Sequence, residues 1–90
     1  MTQQEEFKLN LSSVMEEISG MLIEKNRKYG NSALEPIRIF STASAESQIL
    51  VRIDDKLSRI RNRQHDEDED VINDLIGYLV LLKMLKIENK

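Results

Sequence analysis

The residues best suited to chemistry fall into three groups. Arg52, Lys56 and Arg59 stand four and three positions apart. At about 100° per residue they share one stripe of a helix, about a quarter-turn from an apolar stripe of Ile49, Ile53, Leu57 and Ile60. Cations so arranged can hold phosphate oxygens, arginine through a forked contact that lysine cannot make. The same pattern also describes a solvated face paired with Asp55 and the acidic run that follows. The second group is Lys25-Asn26-Arg27-Lys28-Tyr29-Gly30-Asn31-Ser32. Here Tyr29 can stack on a base, Lys25 or Lys28 can meet a phosphate, and Asn31 can read a base edge or a sugar hydroxyl. Basic residues followed by glycine are equally an ordinary helix C-terminus.

The third group is acidic. Counting turns from Ile49 puts Glu46 near the apolar side of its helix, where an unpaired carboxylate is costly and needs a partner. Asp70 and Asp74 sit one turn apart, with Tyr78 one turn beyond, beside Val71, Leu75 and Leu82. If the helices carrying them pack together, Glu46, Asp74 and Asp70 can share a magnesium ion completed by ligand phosphates. The competing arrangement has Asp70 capping its helix and Asp74 pairing with Lys56 or Arg59. His65 has no second histidine or cysteine beside it and receives no role. The four methionines read as core filler.

The elements that must position these groups are helical. Apolar residues at Leu11, Val14, Met15, Ile18, Met21 and Leu22 have the spacing of one helix face, which predicts a helix from Leu11 to Lys25. Ser13 and Glu16 fit a capping box, and a start nearer Glu5 fits equally. Residues 1–9 are then a flexible or short helical segment. Gly30, Asn31, Ser32 and Pro36 end this helix in a loop, with a short turn of helix expected at Ile37 to Phe40. A second long helix starts near Thr42 or Ser44 and runs to about Arg61. His65 to Asp70 suits a solvated connection, in which Asp66 with Glu69 offers a cap. The third long helix runs to about Ile87. It is apolar nearly all round between Val71 and Leu85, so it lies either at the centre of the monomer or at a subunit interface. The expected fold is all-α, a helical bundle of three long helices and a short one in a single domain, 1–90.

Composition narrows the class. Ninety residues without cysteine bury only about 60 to 65 per cent of the surface the unfolded chain exposes, with no disulfide to compensate. Association between chains is the expected remedy, through the apolar third long helix. The stretch Met1 to Phe7 lacks signal-peptide order, and Leu75 to Leu82 is too short to span a bilayer. A cytoplasmic protein without a membrane partner is expected. The net charge is -3 and the cations are interleaved with acids, which argues against binding duplex nucleic acid.

Three ordered blocks carry a family resemblance. They are Glu24 to Ser32, then Val51-Arg52-Ile53-Asp54-Asp55-Lys56-Leu57-Ser58-Arg59, then Glu69-Asp70-Val71-Ile72-Asn73-Asp74-Leu75-Ile76-Gly77-Tyr78. Together they resemble the phage-associated family called nucleotide modification associated domain 1, which looks like a compact relative of the all-α nucleoside triphosphate pyrophosphohydrolases of the MazG and dimeric dUTPase type. The resemblance implies a helical, usually oligomeric nucleotide-binding fold. Those hydrolases hold magnesium with a Glu-Glu-x-x-Glu block and a Glu-x-x-Asp block. Only Glu46 stands near the place of the first block. Asp74 matches the last acid of the second, but Val71 replaces its glutamate and Asp70 lies one residue early.

Two functions follow as expectations. One is a phage-type oligomer, acting in the cytoplasm of an infected or lysogenic bacterial host, that sequesters a phosphorylated nucleotide such as a cyclic oligonucleotide or ADP-ribose-like defence signal. It needs no cofactor, and it binds through Lys25, Lys28, Tyr29, Asn31, Arg52, Lys56, Arg59 and Tyr78. The other is a magnesium-dependent nucleoside triphosphate pyrophosphohydrolase with Glu46, Asp70 and Asp74 as metal ligands. A helical interaction module is the plainest third reading.

Overall fold

The computed structural model describes residues 1–63 and 70–88, and these form three helices in the order α1 (Gln3–Tyr29), α2 (Ala45–Arg61) and α3 (Val71–Glu88). Among the described residues there is no strand. The all-α expectation holds. The expected connection at His65 and the cap formed by Asp66 with Glu69 lie outside the described residues, apart from Asp70.

The first helix starts eleven residues earlier than a Ser13 cap would place it. Thr2 is extended, and its hydroxyl oxygen accepts from the Glu5 amide at 3.1 Å while donating to the Glu5 carboxylate at 2.9 Å. Thr2-x-x-Glu5 is thus the capping pair in use, and Ser13 lies within the helix. Residues 3–9 are helical and continuous with the rest. Glu5 and Glu6 in the first turn, with Arg27 and Lys28 in the last, complement the helix dipole. The helix ends at Gly30, whose φ of 66° and ψ of -160° suit a residue without a Cβ.

The short turn of helix expected at Ile37 to Phe40 does not form. The chain turns at residues 30–34, where the Asn31 carbonyl accepts from the Leu34 and Glu35 amides at 3.2 and 2.8 Å, and residues 36–43 carry bends without a repeating pattern. Proline at the first position is compatible with a helix after it, so Pro36 does not account for the difference. Ser44 then caps α2, accepting from the Ser47 amide at 3.1 Å. This is one of the two caps expected from the sequence. On α3, the Asp70 carboxylate accepts from the Asn73 amide at 2.9 Å in the same manner.

Backbone contacts divide the chain into two compact units, Met1–Gly30 and Asn31–Lys90. The first is α1 itself. In the second, α2 packs on α3 around a core of Leu34, Ala45, Ile49, Ile53 and Leu85, flanked by Leu75, Tyr78, Leu81 and Leu82. The apolar spacing of α2 accounts for its side of this core, although Leu57 and Ile60, nearer its end, stay exposed. The third helix buries Gly77 and Leu85 and leaves Ile72, Leu79, Met84 and Ile87 exposed on other faces. Its apolar circumference therefore reaches beyond what α2 covers. Among the described residues, no helix is long and apolar enough to cross a membrane.

Candidate functional site

The centre of the basic stripe is an ion pair between helices. Lys56 Nζ on α2 lies 3.3 Å from Asp74 Oδ2 on α3, and the two side chains are only 12% and 19% exposed. By helical geometry Lys56 falls within about 20° of Ile49, on the packed face itself, whereas Arg52 and Arg59 lie further round on its border. Their environments differ accordingly. Arg52 is exposed and makes no ion pair among the described residues. Arg59 is half-buried and its Nε stands 3.4 Å from Asp55 Oδ2, one turn back.

The acids proposed as magnesium ligands have distinct positions. Asp74 faces Lys56, Asp70 caps α3, and Glu46 is exposed in the first turn of α2. Glu46 thus meets water and not the apolar side expected from counting turns; the residue of that turn on the packed face is its neighbour Ala45. Among the described residues no group of three histidine, cysteine or carboxylate side chains is placed to hold a metal ion. Tyr78, one turn beyond Asp74, is half-buried and packs against the α2–α3 core.

The remaining candidates belong to the end of α1 and the turn after it. Lys25, Lys28 and Tyr29 are exposed on the last turns of α1, and Asn31, also exposed, opens the second unit. Arg27 Nε donates to Glu24 Oε2 at 3.0 Å. This bond, aided by the charge of Lys28 and opposed by slight desolvation, holds the Glu24 carboxyl below its usual value and pushes the Arg27 guanidinium up. A lowered carboxyl pKa means that the pair favours the helix end at neutral pH. That support is lost as pH falls from the ordinary glutamate range through the lowered value.

One organised feature went unread in the sequence. The Ala43 carbonyl accepts from Arg38 Nε at 3.1 Å and from Gln48 Nε2 at 3.0 Å, and the Ala43 amide donates to Ser41 Oγ at 3.0 Å. These bonds tie the loop to α2 and to itself. At its apex Phe40 is fully exposed, with Ile37 and Ile39 also exposed beside it.

What the second unit offers chemically is a pair of guanidinium groups bordering a sheltered lysine–aspartate pair. Arg52 and Arg59 are seven residues apart, roughly 10 Å along the axis, which suits a ligand carrying more than one phosphate. No family model, no curated protein and no solved structure matches the chain.

Proposed function

We propose that the protein binds a phosphorylated nucleotide on the basic border of α2 and retains it without hydrolysing it. The observation that carries this reading is the contrast within one stripe. Lys56 is engaged by Asp74, while Arg52 stands exposed without an ion pair among the described residues. A guanidinium so placed can form charge-assisted bonds to phosphate without first breaking an internal ion pair. Binding is favoured over the pyrophosphohydrolase reading because the three acids that reading requires have other engagements or exposures. Asp74 would have to exchange Lys56 for magnesium, and Asp70 would have to surrender its cap.

The resemblance to nucleotide modification associated domain 1 extends the proposal to a phage-type, oligomeric protein that sequesters a host defence signal in the bacterial cytoplasm. A cyclic oligonucleotide or an ADP-ribose derivative has the separated phosphates that Arg52 and Arg59 can bracket. Asn31, in the same unit as these arginines, is the proposed base or sugar contact.

The test is incubation of the purified protein with nucleoside triphosphates, cyclic oligonucleotides and ADP-ribose derivatives, with and without magnesium, followed by heat release and mass analysis. Intact ligand released only on denaturation is the expected result. Magnesium-dependent formation of a monophosphate and pyrophosphate would overturn it in favour of the enzyme.

A further inference from the structure

The two arginines on the border of α2 have a carboxylate between them. Asp55 follows Arg52 by three residues and precedes Arg59 by four, so it stands about midway along the roughly 10 Å that separates them. Around the axis it lies about 60° from Arg52 and about 40° from Arg59. The three side chains therefore share one strip of a single helix, in the order cation, anion, cation. Arg52 and Asp55 are exposed and Arg59 is half-buried. Among the described residues the Asp55 carboxylate makes one ion pair, from Oδ2 to Arg59 Nε at 3.4 Å. An ionised carboxylate has about four acceptor sites, so this contact leaves it capacity for a further donor.

That order restricts the ligand. A carboxylate repels phosphate and takes hydrogen bonds only from donors. A chain of directly linked phosphates laid from Arg52 to Arg59 would set its charge against Asp55. What suits the midpoint is an uncharged donor carried between two separate phosphates. In a nucleotide whose phosphates leave from different sugar carbons, the group covalently between them is the sugar, and its free hydroxyl is such a donor. Recognition of a ribose hydroxyl by an acidic side chain is chemistry that other nucleotide-binding folds also use.

Given the nucleotide binding proposed above, on which this rests, we infer that Asp55 reads the sugar: its carboxylate accepts a hydrogen bond from a ribose hydroxyl while Arg52 and Arg59 hold phosphates on either side. The ligand class is then a ribonucleotide with phosphates on two sugar positions. A nucleoside di- or triphosphate, with its phosphates in one chain, fits the strip less well.

The probes are nucleoside 3′,5′-bisphosphates of the four common bases, each with ribose and with 2′-deoxyribose, titrated into the full chain by calorimetry. The native protein should bind the ribose form at least about fivefold more tightly, in line with a hydrogen bond to a charged acceptor at a partly exposed site. Asp55→Ala should bring the two forms within about twofold of each other, whereas Asp55→Asn keeps an acceptor oxygen and should retain part of the preference. Alanine is the better helix former at such a position, so Asp55→Ala should keep its helicity by circular dichroism. A native protein indifferent to the sugar, or a preference that survives Asp55→Ala unchanged, would overturn the assignment. Absence of binding to every bisphosphate overturns it alone if the heat-release panel still yields a nucleotide, and overturns the proposed function with it if that panel yields none.

Discussion

Lys56 and Asp74 form the ion pair that links α2 to α3, at 3.3 Å and with both side chains largely shielded from water. A shielded charge depends on its partner more than on solvent, so removing one member takes that contact away while the other stays shielded. Asp74→Ala is therefore expected to destabilise the second unit by about 2–4 kcal/mol, toward the lower side of fully buried pairs. The double variant Lys56→Met with Asp74→Leu should recover most of that loss. Urea unfolding of the three proteins measures both values, and a double variant as unstable as the single one would show that the pair does more than neutralise its own charges.

The helix start gives a second, sharper test. Because Thr2 caps α1 and Ser13 sits inside it, Thr2→Ala should cost about 1 kcal/mol. Ser13→Ala should be neutral or slightly stabilising, since alanine is the better interior residue. Thermal melts followed by helical circular dichroism separate the two. A loss confined to Ser13→Ala would restore the later start.

The contrast between these two serine and threonine positions shows what the sequence could and could not reveal. Spacing of apolar residues on α2 named Ile49 and Ile53 as core, and Ser44 as a candidate cap, because a single helix face and one hydroxyl decide both. The start of α1 was ambiguous because Thr2/Glu5 and Ser13/Glu16 present the same chemistry, and only the continuous helix chooses between them. Residues 37–40 misled for another reason. Their apolar side chains suit a short helix, but they are exposed and the segment is fixed instead by bonds to the Ala43 carbonyl, which no residue type announces. For the site, stripe geometry grouped Arg52, Lys56 and Arg59 a quarter-turn from the apolar stripe, whereas Lys56 lies on the packed face itself. The pairing of Asp74 with Lys56 or Arg59 and the cap by Asp70 were one of two arrangements the sequence offered, and the choice between them depends on the docking of α3.

Gly30 permits a test of backbone freedom without steric complication. A Cβ added there would meet nothing within 4 Å, yet φ is +66° with ψ near -160°, a region nearly reserved for glycine. Gly30→Ala should therefore destabilise the chain by roughly 1–3 kcal/mol through the backbone alone. Gly20→Ala, inside α1 and also in open space, should instead gain up to about 1 kcal/mol. Opposite signs in a chemical denaturation comparison would confirm that Gly30 is a conformational requirement.

Nucleotide affinity offers the most direct reading of the α2 border. Arg52→Ala removes an exposed guanidinium that no described acid holds, so loss of its phosphate contact should weaken binding by about 1.5–3 kcal/mol, or roughly ten- to hundredfold. Asp55→Asn removes only the 3.4 Å contact to Arg59 and should leave affinity within a few-fold of the native value, as expected for a half-exposed pair of modest strength. Raising the salt concentration should weaken binding to the native chain more than to Arg52→Ala, because one fewer charge contact is then screened. Chelation of divalent ions should leave affinity intact when arginines carry the phosphate contacts. Titration calorimetry reports all four changes, and a chelator-sensitive affinity indifferent to Arg52→Ala would transfer the site from the cations of α2 to the acids at Glu46, Asp70 and Asp74.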